Sequence, residues 1–153
     1  MILLGERFIF DIAIQKEGMY MSNAAKVNEF LDKAETFMFL TTDGDQPKGR
    51  PFGFHMLVDD RLYFGCGTFK NVFRQLSANP KVEVLAMTND EFMRYDGIVR
   101  IVKDDDLIAK VREIMPQIME LYDKNGWEMG LFYLENGHAE IRGIMDLKEE
   151  FDV

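Results

Sequence analysis

The sequence has few of the residues that stabilise extracellular or metal-bound folds. Among its 153 residues are one cysteine and two histidines, so no intrachain disulfide can form and a His/Cys zinc site is not expected. No apolar run is long enough to span a membrane, and Glu6, Arg7 and Asp11 interrupt the apolar start before it reaches the length of a signal-peptide core. The scarcity of cysteine and histidine and the lack of long apolar segments predict a protein of the reducing cytoplasm that holds no metal.

Basic residues are outnumbered by acidic ones overall, but the balance is reversed in one stretch. Eighteen Lys and Arg stand against 27 Asp and Glu, a net charge of −9, which argues against nucleic acid and acidic membrane surfaces as partners. Between residues 46 and 82, however, six basic residues accompany only two acidic ones. A basic stretch in an acidic chain suits a small anionic ligand, although chance clustering of surface lysines explains the charge equally well.

The length and an apolar content of 47% predict one globular domain with a single core. No repeat or Pro/Gly/Ser-rich linker divides the chain. Residues 1–21 have no clear periodicity and are predicted to form an N-terminal extension, ordered or disordered, that adds nothing to the fold. The domain itself is expected to comprise residues 22–153.

Turn signals divide the domain into short strands with helices inserted between them. Strands are predicted at residues 36–42, 48–58, 61–65, 81–88, 91–102, 131–134 and 138–145. Helices are expected after Ser22, after Thr68 and after Asp104, the last of them ended or kinked by Pro116, and Gly97 is expected to mark a β-bulge. Seven mostly consecutive antiparallel strands predict a mainly β fold with inserted helices, closed into a barrel.

A candidate phosphate site lies where the third strand leads into the second helix. Gly65 and Gly67 flank Cys66 and would let a ligand approach the backbone. Thr68 occupies the predicted N-cap and Lys70 the first turn. A helix start offers free N–H groups, and a hydroxyl with nearby cations, including Arg50 from the second strand, would complete a phosphate cradle. The alternative is that Lys70 simply extends into solvent.

Five segments between residues 30 and 103 occur in an order and spacing typical of one family. They are Phe39-Leu40-Thr41-Thr42, Arg50-Pro51-Phe52-Gly53, Leu62-Tyr63-Phe64, Thr68-Phe69-Lys70-Asn71 with Gln75-Leu76, and Asn79-Pro80-Lys81-Val82. The set resembles the pyridoxamine 5′-phosphate oxidase-like family of FMN-binding split barrels, and in particular its small general-stress and nitroimidazole-resistance-type members.

The resemblance implies a Greek-key, antiparallel split β-barrel that forms a homodimer, with FMN in each of two clefts at the subunit interface. It assigns the phosphate to Arg50 and Lys70, with Thr68 as a hydroxyl donor. The remaining implied contacts are Pro51, Phe52 and Gly53 along the isoalloxazine ring, Gly65 and Cys66 on its other side, and Asn71 as a weaker match. No catalytic side chain is implied, and His55 is expected to be structural.

The implied function is that of an FMN-dependent oxidoreductase acting on an unidentified small molecule. True pyridoxamine 5′-phosphate oxidases carry a C-terminal motif with Arg and His that grips the substrate phosphate, whereas residues 146–153 are acidic here. We therefore expect a different substrate. Two alternatives stay open: a non-catalytic flavin- or haem-binding protein for storage, sensing or delivery, and a dimerising scaffold with an empty cleft.

Overall fold

The computed structural model describes residues 21–153, so the predicted extension, residues 1–21, lies outside the described residues except for Met21. The elements in chain order are α1 (Asn23–Ala34), β1 (Phe37–Asp43), β2 (Gln46–Phe52), β3 (His55–Val58), β4 (Arg61–Gly67), α2 (Asn71–Ala78), β5 (Lys81–Met87), β6 (Phe92–Val102), α3 (Asp105–Ile114), α4 (Pro116–Asn125), β7 (Met129–Arg142) and β8 (Leu147–Asp152). Within this range, no helix has the length and apolar character needed to cross a membrane.

The eight strands of residues 21–153 form one antiparallel sheet whose two ends lie close together without pairing. The strand order is β2-β1-β5-β6-β7-β4-β3, and β8 pairs with β7 beside this path. The end strands β2 and β3 are separated in sequence by only Gly53 and Phe54. Because the Cα atoms of Phe52 and His55 are three residues apart, they lie at most about 11 Å from each other, so the sheet must curl until its ends lie close together. The ends do not hydrogen-bond to each other, which confirms the predicted split barrel and corrects the expectation of a closed one.

Aromatic side chains fill the barrel. The inward side of β1 carries Phe37 and Phe39, and both are fully buried. The Phe39 ring stacks on Phe52 with centroids 4.8 Å apart and meets Phe132 edge-on at 5.5 Å. Helix α1 packs Leu31 against this core, while α3 and α4 cover a second, smaller apolar cluster. The barrel therefore has a packed interior, and any ligand must bind at its outside or at its seam.

The predicted second strand, residues 48–58, is wrong in one respect, since it is two strands. The break at Gly53 and Phe54 carries the chain from one end of the sheet to the other. Pro51 lies on β2, which among the described strands pairs with β1 and ends the strand order. A proline has no N–H to donate to a second neighbour, which suits the strand at which the sheet ends.

The start of α2 also differs from the prediction. Its N-cap is Lys70 and not Thr68. The Thr68 N–H donates to the Glu128 carbonyl (3.0 Å), and the Lys70 N–H donates to the Gly67 carbonyl (3.1 Å). Residues 68–70 therefore extend the β4 pairing and then turn, so Lys70 precedes the helix and does not lie in its first turn.

The predicted C-terminal hairpin is wrong. Residues 131–134 and 138–145 were expected to be two strands, but β7 runs through the Asn136-Gly137 signal without reversing. Asn136 takes a positive φ of 53° in a bulge, where two residues of β7 oppose the single residue Gly97 of β6. The expected bulge at Gly97 is thus confirmed, with the extra residue on β7. The chain reverses later, where the Gly143 N–H donates to the Asp146 carbonyl (2.9 Å), and β8 adds an unpredicted eighth strand.

Asp104 caps α3, the helix expected after it, and Asp105 and Asp106 lie in the first turn. The Asp104 side chain accepts from the N–H groups of Asp106 (2.9 Å) and Leu107 (3.2 Å). Carboxylates at this position also oppose the positive end of the helix dipole. Pro116 then separates α3 from α4 and lies at the first position of α4, where its missing N–H leaves no helical hydrogen bond unmade.

Candidate functional site

A hollow of about 340 Å³ lies at the seam of the barrel, where β2 ends and the chain continues into β3. It is lined by Arg50, Pro51, Phe52, Gly53, Phe54, Gly65, Cys66, Lys70, Val72, Met115, Ile118, Tyr122 and Met129. Its volume is within the range of small-molecule sites, roughly 300–1,000 Å³. Seven of the nine predicted cofactor residues contribute to this lining, and we refer to it as the seam hollow.

The seam hollow is locally basic in an acidic protein. Arg50 and Lys70 are its two charged lining residues, and no Asp or Glu is among the others. Neither cation forms an ion pair with a carboxylate in the described part of the chain. Two uncompensated cations beside an apolar wall create a site for a ligand with one anionic end and one apolar end.

Neutral oxygens hold the Arg50 guanidinium in place. Its Nη1 donates to the Phe39 carbonyl (3.0 Å) and to the Thr41 hydroxyl (2.7 Å), and its Nη2 donates to Gln75 Oε1 (2.7 Å). Partial burial lowers the pKa of Arg50 from its ordinary value, and the nearby Cys66 acts in the opposite direction. Since an arginine starts from a very high pKa, the group stays charged.

Cys66 forms part of the apolar wall. Burial raises the pKa of its thiol to about 11, and the charges of Lys70 and Arg50 offset this only in part. The side chain is therefore a neutral thiol at physiological pH, not a reactive thiolate. A lone buried cysteine of this kind packs as a small apolar group.

The glycines on either side of Cys66 make room for protein side chains. A Cβ on Gly65 would lie 2.9 Å from Leu131 Cδ2, and a Cβ on Gly67 would collide with the Phe69 ring. A side chain at either position would therefore crowd its protein neighbours, and of the two glycines Gly65 contributes to the lining of the seam hollow. Gly53, in contrast, has open space where its Cβ would be, so a ligand could lie against the backbone there.

Thr68 and Asn71 are the two predicted residues that the structure does not bring into the seam hollow. Thr68 lines a separate hollow of about 170 Å³ together with Phe73 and Gly130. Asn71 is the exposed first residue of α2 and belongs to neither lining. The basic character of the seam hollow thus comes from Arg50 and Lys70 without a hydroxyl from Thr68.

Sequence reasoning missed the part of the wall that comes from the α3–α4 junction. Met115, Ile118 and Tyr122 close one side of the seam hollow. Burial raises the pKa of the Tyr122 hydroxyl, so this group stays neutral. The apolar face of α3 was visible in the sequence, but its alignment with the break after Phe52 depends on contacts between residues far apart in the chain.

His55 lies outside the seam hollow and connects two elements. Its Nδ1 is 2.8 Å from Asn28 Oδ1 and its Nε2 is 3.2 Å from Asp32 Oδ1. Burial lowers the pKa of the ring, and the Asp32 carboxylate acts in the opposite direction. These contacts fasten β3 to α1, and they confirm the expectation of a structural histidine.

Comparison with known proteins places the chain among the proteins that its motifs resemble. Residues 24–139 match the family model described as pyridoxamine 5′-phosphate oxidase. The structure is similar to that of a NimC/NimA family protein from Clostridium acetobutylicum, with 27% identity and a TM-score of 0.78, over 91% of this chain and 99% of that one. No curated protein matches the sequence.

Two more distant neighbours share the fold. General Stress Protein 26 from Bacillus anthracis is 16% identical with a TM-score of 0.60, over 85% of this chain and 98% of that one. HutZ, described as the haem storage protein from Vibrio cholerae, is 16% identical with a TM-score of 0.57, over 82% of this chain and 92% of that one.

Proposed function

Because the chain belongs to the pyridoxamine 5′-phosphate oxidase family, we propose that it is a flavoprotein that binds FMN in the seam hollow. The observation that carries this proposal is the pairing of two uncompensated cations, Arg50 and Lys70, with walls that are otherwise uncharged. FMN has the matching chemistry, since a doubly charged phosphate is joined through a short chain to a flat, largely apolar ring system.

Each wall of the hollow has a role in this proposal. Arg50 and Lys70 bind the phosphate by charge-assisted hydrogen bonds, and the backbone at Pro51 and Gly53 lies along the isoalloxazine ring. The Phe52 side chain stacks on Phe39 in the core, so its contribution comes mainly from the backbone. Bound flavin supplies hydride and electron transfer, while the protein orients the ring and excludes water from it.

The proposed activity is that of an oxidoreductase acting on an unidentified small molecule. Cys66 and Tyr122 are titratable groups in the lining whose pKa values burial raises, so neither is poised to exchange a proton at neutral pH. The chain's residues therefore position flavin and substrate, and no side chain of the hollow is assigned as a general acid or base. A cytoplasmic location fits a protein whose single cysteine is a buried free thiol.

A homodimer would complete the site. The seam hollow is open, and Ile118 in its wall is 43% exposed, with Ile114 nearby on α3 at 55%. Contiguous exposed apolar side chains mark interaction surfaces, and in this proposal Ile118 and Ile114 belong to a surface that a partner covers. We place FMN at this interface, with one equivalent site on each subunit.

Storage, sensing or delivery of a flavin or haem without turnover is the second candidate, and it is favoured by the similarity to a haem storage protein. Against haem, no histidine lines the seam hollow in the described residues, and His55 and His138 are both engaged elsewhere. Imidazole is a common axial ligand of haem iron, and burial raises the pKa values of Cys66 and Tyr122 in the lining, which disfavours the thiolate and phenolate forms that also bind haem iron. FMN therefore matches the chemistry of the hollow better than haem does.

The visible spectrum of the purified protein tests the proposal. We expect flavin absorption as isolated or after addition of FMN, with one FMN per chain by equilibrium dialysis. Colourless protein that leaves the FMN spectrum unchanged, or that binds haemin in preference, would end the FMN proposal. Anaerobic reduction by NADH or NADPH and reoxidation by a panel of acceptors then separates the two candidates, because only an enzyme exceeds the rate of free flavin.

A further inference from the structure

Gln75 and Thr41 form a buried polar pair beneath the cation of the seam hollow. Their exposed fractions are 5% and 4%, and they are the two buried polar side chains in the described range. The Thr41 hydroxyl donates to Gln75 Oε1 (2.6 Å), and both oxygens accept from Arg50 at 2.7 Å. Burying polar groups is unfavourable unless they are hydrogen-bonded, so an apolar pair would have been the simpler way to fill this space.

We propose that Gln75 and Thr41 are positioning residues that hold Arg50 as an uncompensated positive charge for the phosphate of FMN. This inference rests on the proposed function above. It adds two residues that do not line the seam hollow and would act only through Arg50.

The chemistry of the acceptors supports this role. All three oxygens around the Arg50 guanidinium are neutral: a main-chain carbonyl, a hydroxyl and an amide. A carboxylate in place of the Gln75 amide would hold the same geometry, but it would cancel the charge that a phosphate needs. A guanidinium has five N–H donors, and three of them are used here. The Nε–H and one Nη2–H remain for an anion.

The fold fixes the network from three elements. Arg50 on β2 lies directly opposite Phe39 on β1, and Thr41 follows two residues later on the same side of that strand. Gln75 reaches the pair from α2, the helix whose N-cap is Lys70. The network therefore links Arg50 to the helix whose N-cap residue is the second cation, so the backbone segments that carry the two cations are held together.

The decisive variant is Gln75→Glu, which keeps the size and the acceptor but adds a negative charge beside Arg50. We expect FMN affinity to fall roughly 10- to 100-fold, the scale of one charge-assisted hydrogen bond, and riboflavin affinity to change less than about threefold. Gln46→Glu is the matched control, since it makes the same substitution at an exposed position outside the hollow, on β2, the strand that carries Arg50. This control should bind both flavins as the wild type does.

Thr41 supplies an independent test by removal of a hydrogen bond. Thr41→Val replaces the hydroxyl by a methyl group of similar shape, whereas Thr41→Ser keeps the hydroxyl. We expect the valine variant to lose FMN affinity selectively and the serine variant to retain it. A purely structural role would lower the thermal midpoint without changing the ratio of FMN to riboflavin affinity. Thermal unfolding is therefore recorded for every variant.

The outcomes distinguish failure of the proposed flavin site from failure of the positioning role of Gln75 and Thr41. Wild-type protein that ignores FMN, or that binds FMN and riboflavin equally, overturns the proposed function. If the wild type prefers FMN but Gln75→Glu keeps that preference, the positioning role is overturned while the flavin site stands. Should Gln75→Glu fail to fold, the comparison of Thr41→Val with Thr41→Ser decides, and equal FMN affinity in those two variants overturns the role.

Discussion

Replacing Lys70 by alanine would remove one cation from the seam hollow without disturbing the fold around it. Lys70 is exposed, its side chain makes no capping hydrogen bond to α2, and no carboxylate of the described chain pairs with it. Arg50→Ala is a less clean test, because it would remove a hydrogen-bond donor from the buried oxygens of both Thr41 and Gln75. Lys70→Ala should therefore change the free energy of unfolding by no more than about 0.5 kcal/mol.

The effect on FMN binding should be much larger than the effect on stability. A charge-assisted hydrogen bond to a phosphate contributes about 1.5–3 kcal/mol, which corresponds to a loss of FMN affinity of roughly 10- to 150-fold. Riboflavin lacks the phosphate, so its affinity should hardly change. Part of the FMN loss should disappear at high salt, since an exposed cation is screened by ions.

Titration of flavin fluorescence with protein measures both affinities, at low and at high ionic strength. Lys48→Ala is the matched control, because Lys48 is an exposed lysine of the same basic stretch that does not line the hollow. We expect this control to bind FMN normally. Equal losses for FMN and riboflavin in Lys70→Ala, or an equal loss in Lys48→Ala, would refute the assignment of Lys70 to the phosphate.

Three further predictions concern the scaffold. Phe39→Ala should lower the free energy of unfolding by about 3–5 kcal/mol in chemical denaturation, because its ring is fully buried; a loss below 1 kcal/mol would contradict the packing. Cys66, with a pKa raised to about 11 by burial, should react with iodoacetamide at pH 8 far more slowly in the folded than in the unfolded protein, and equal rates would refute its burial. Hydrogen bonds to Asp152 and Glu150 raise the pKa of His138 in the folded protein. The protonated ring therefore stabilises the folded state at pH values below the ordinary histidine pKa of about 6.5, and this stabilisation is lost as the pH rises through the raised pKa. His138→Gln should lack that part of the pH dependence of unfolding, and an unchanged profile would show that the contact does not stabilise the folded state.

The strands that could be predicted are those whose signals are local. β1, β5 and β6 follow apolar patterns bounded by turn residues, and their bounds differ from the predicted ones by a residue or so. β8 could not be foreseen, because its acidic, exposed sequence has little strand propensity. It is held by pairing with β7 and by contacts with α1, including the ion pair of Lys26 with Glu149 (2.6 Å).

The Asn136-Gly137 pair shows the limit of a local turn signal. It is typical of a two-residue hairpin, and the backbone does adopt a positive φ at Asn136. The neighbouring strand decides what that conformation is used for. Because β6 continues alongside and offers only Gly97 opposite the pair, the residues form a bulge within one long strand.

The sequence by itself determined that a basic stretch lies within an acidic, mainly β chain, and its ordered motifs indicated the family. It could not determine which of the basic residues carry a positive charge that no carboxylate compensates. Arg74 belongs to the same stretch, yet its guanidinium pairs with Asp43 at 3.1 Å, whereas Arg50 meets only neutral oxygens. That distinction depends on strand register and helix packing, which bring together residues distant in sequence. Only the tertiary structure therefore decided where an anion would find uncompensated positive charge.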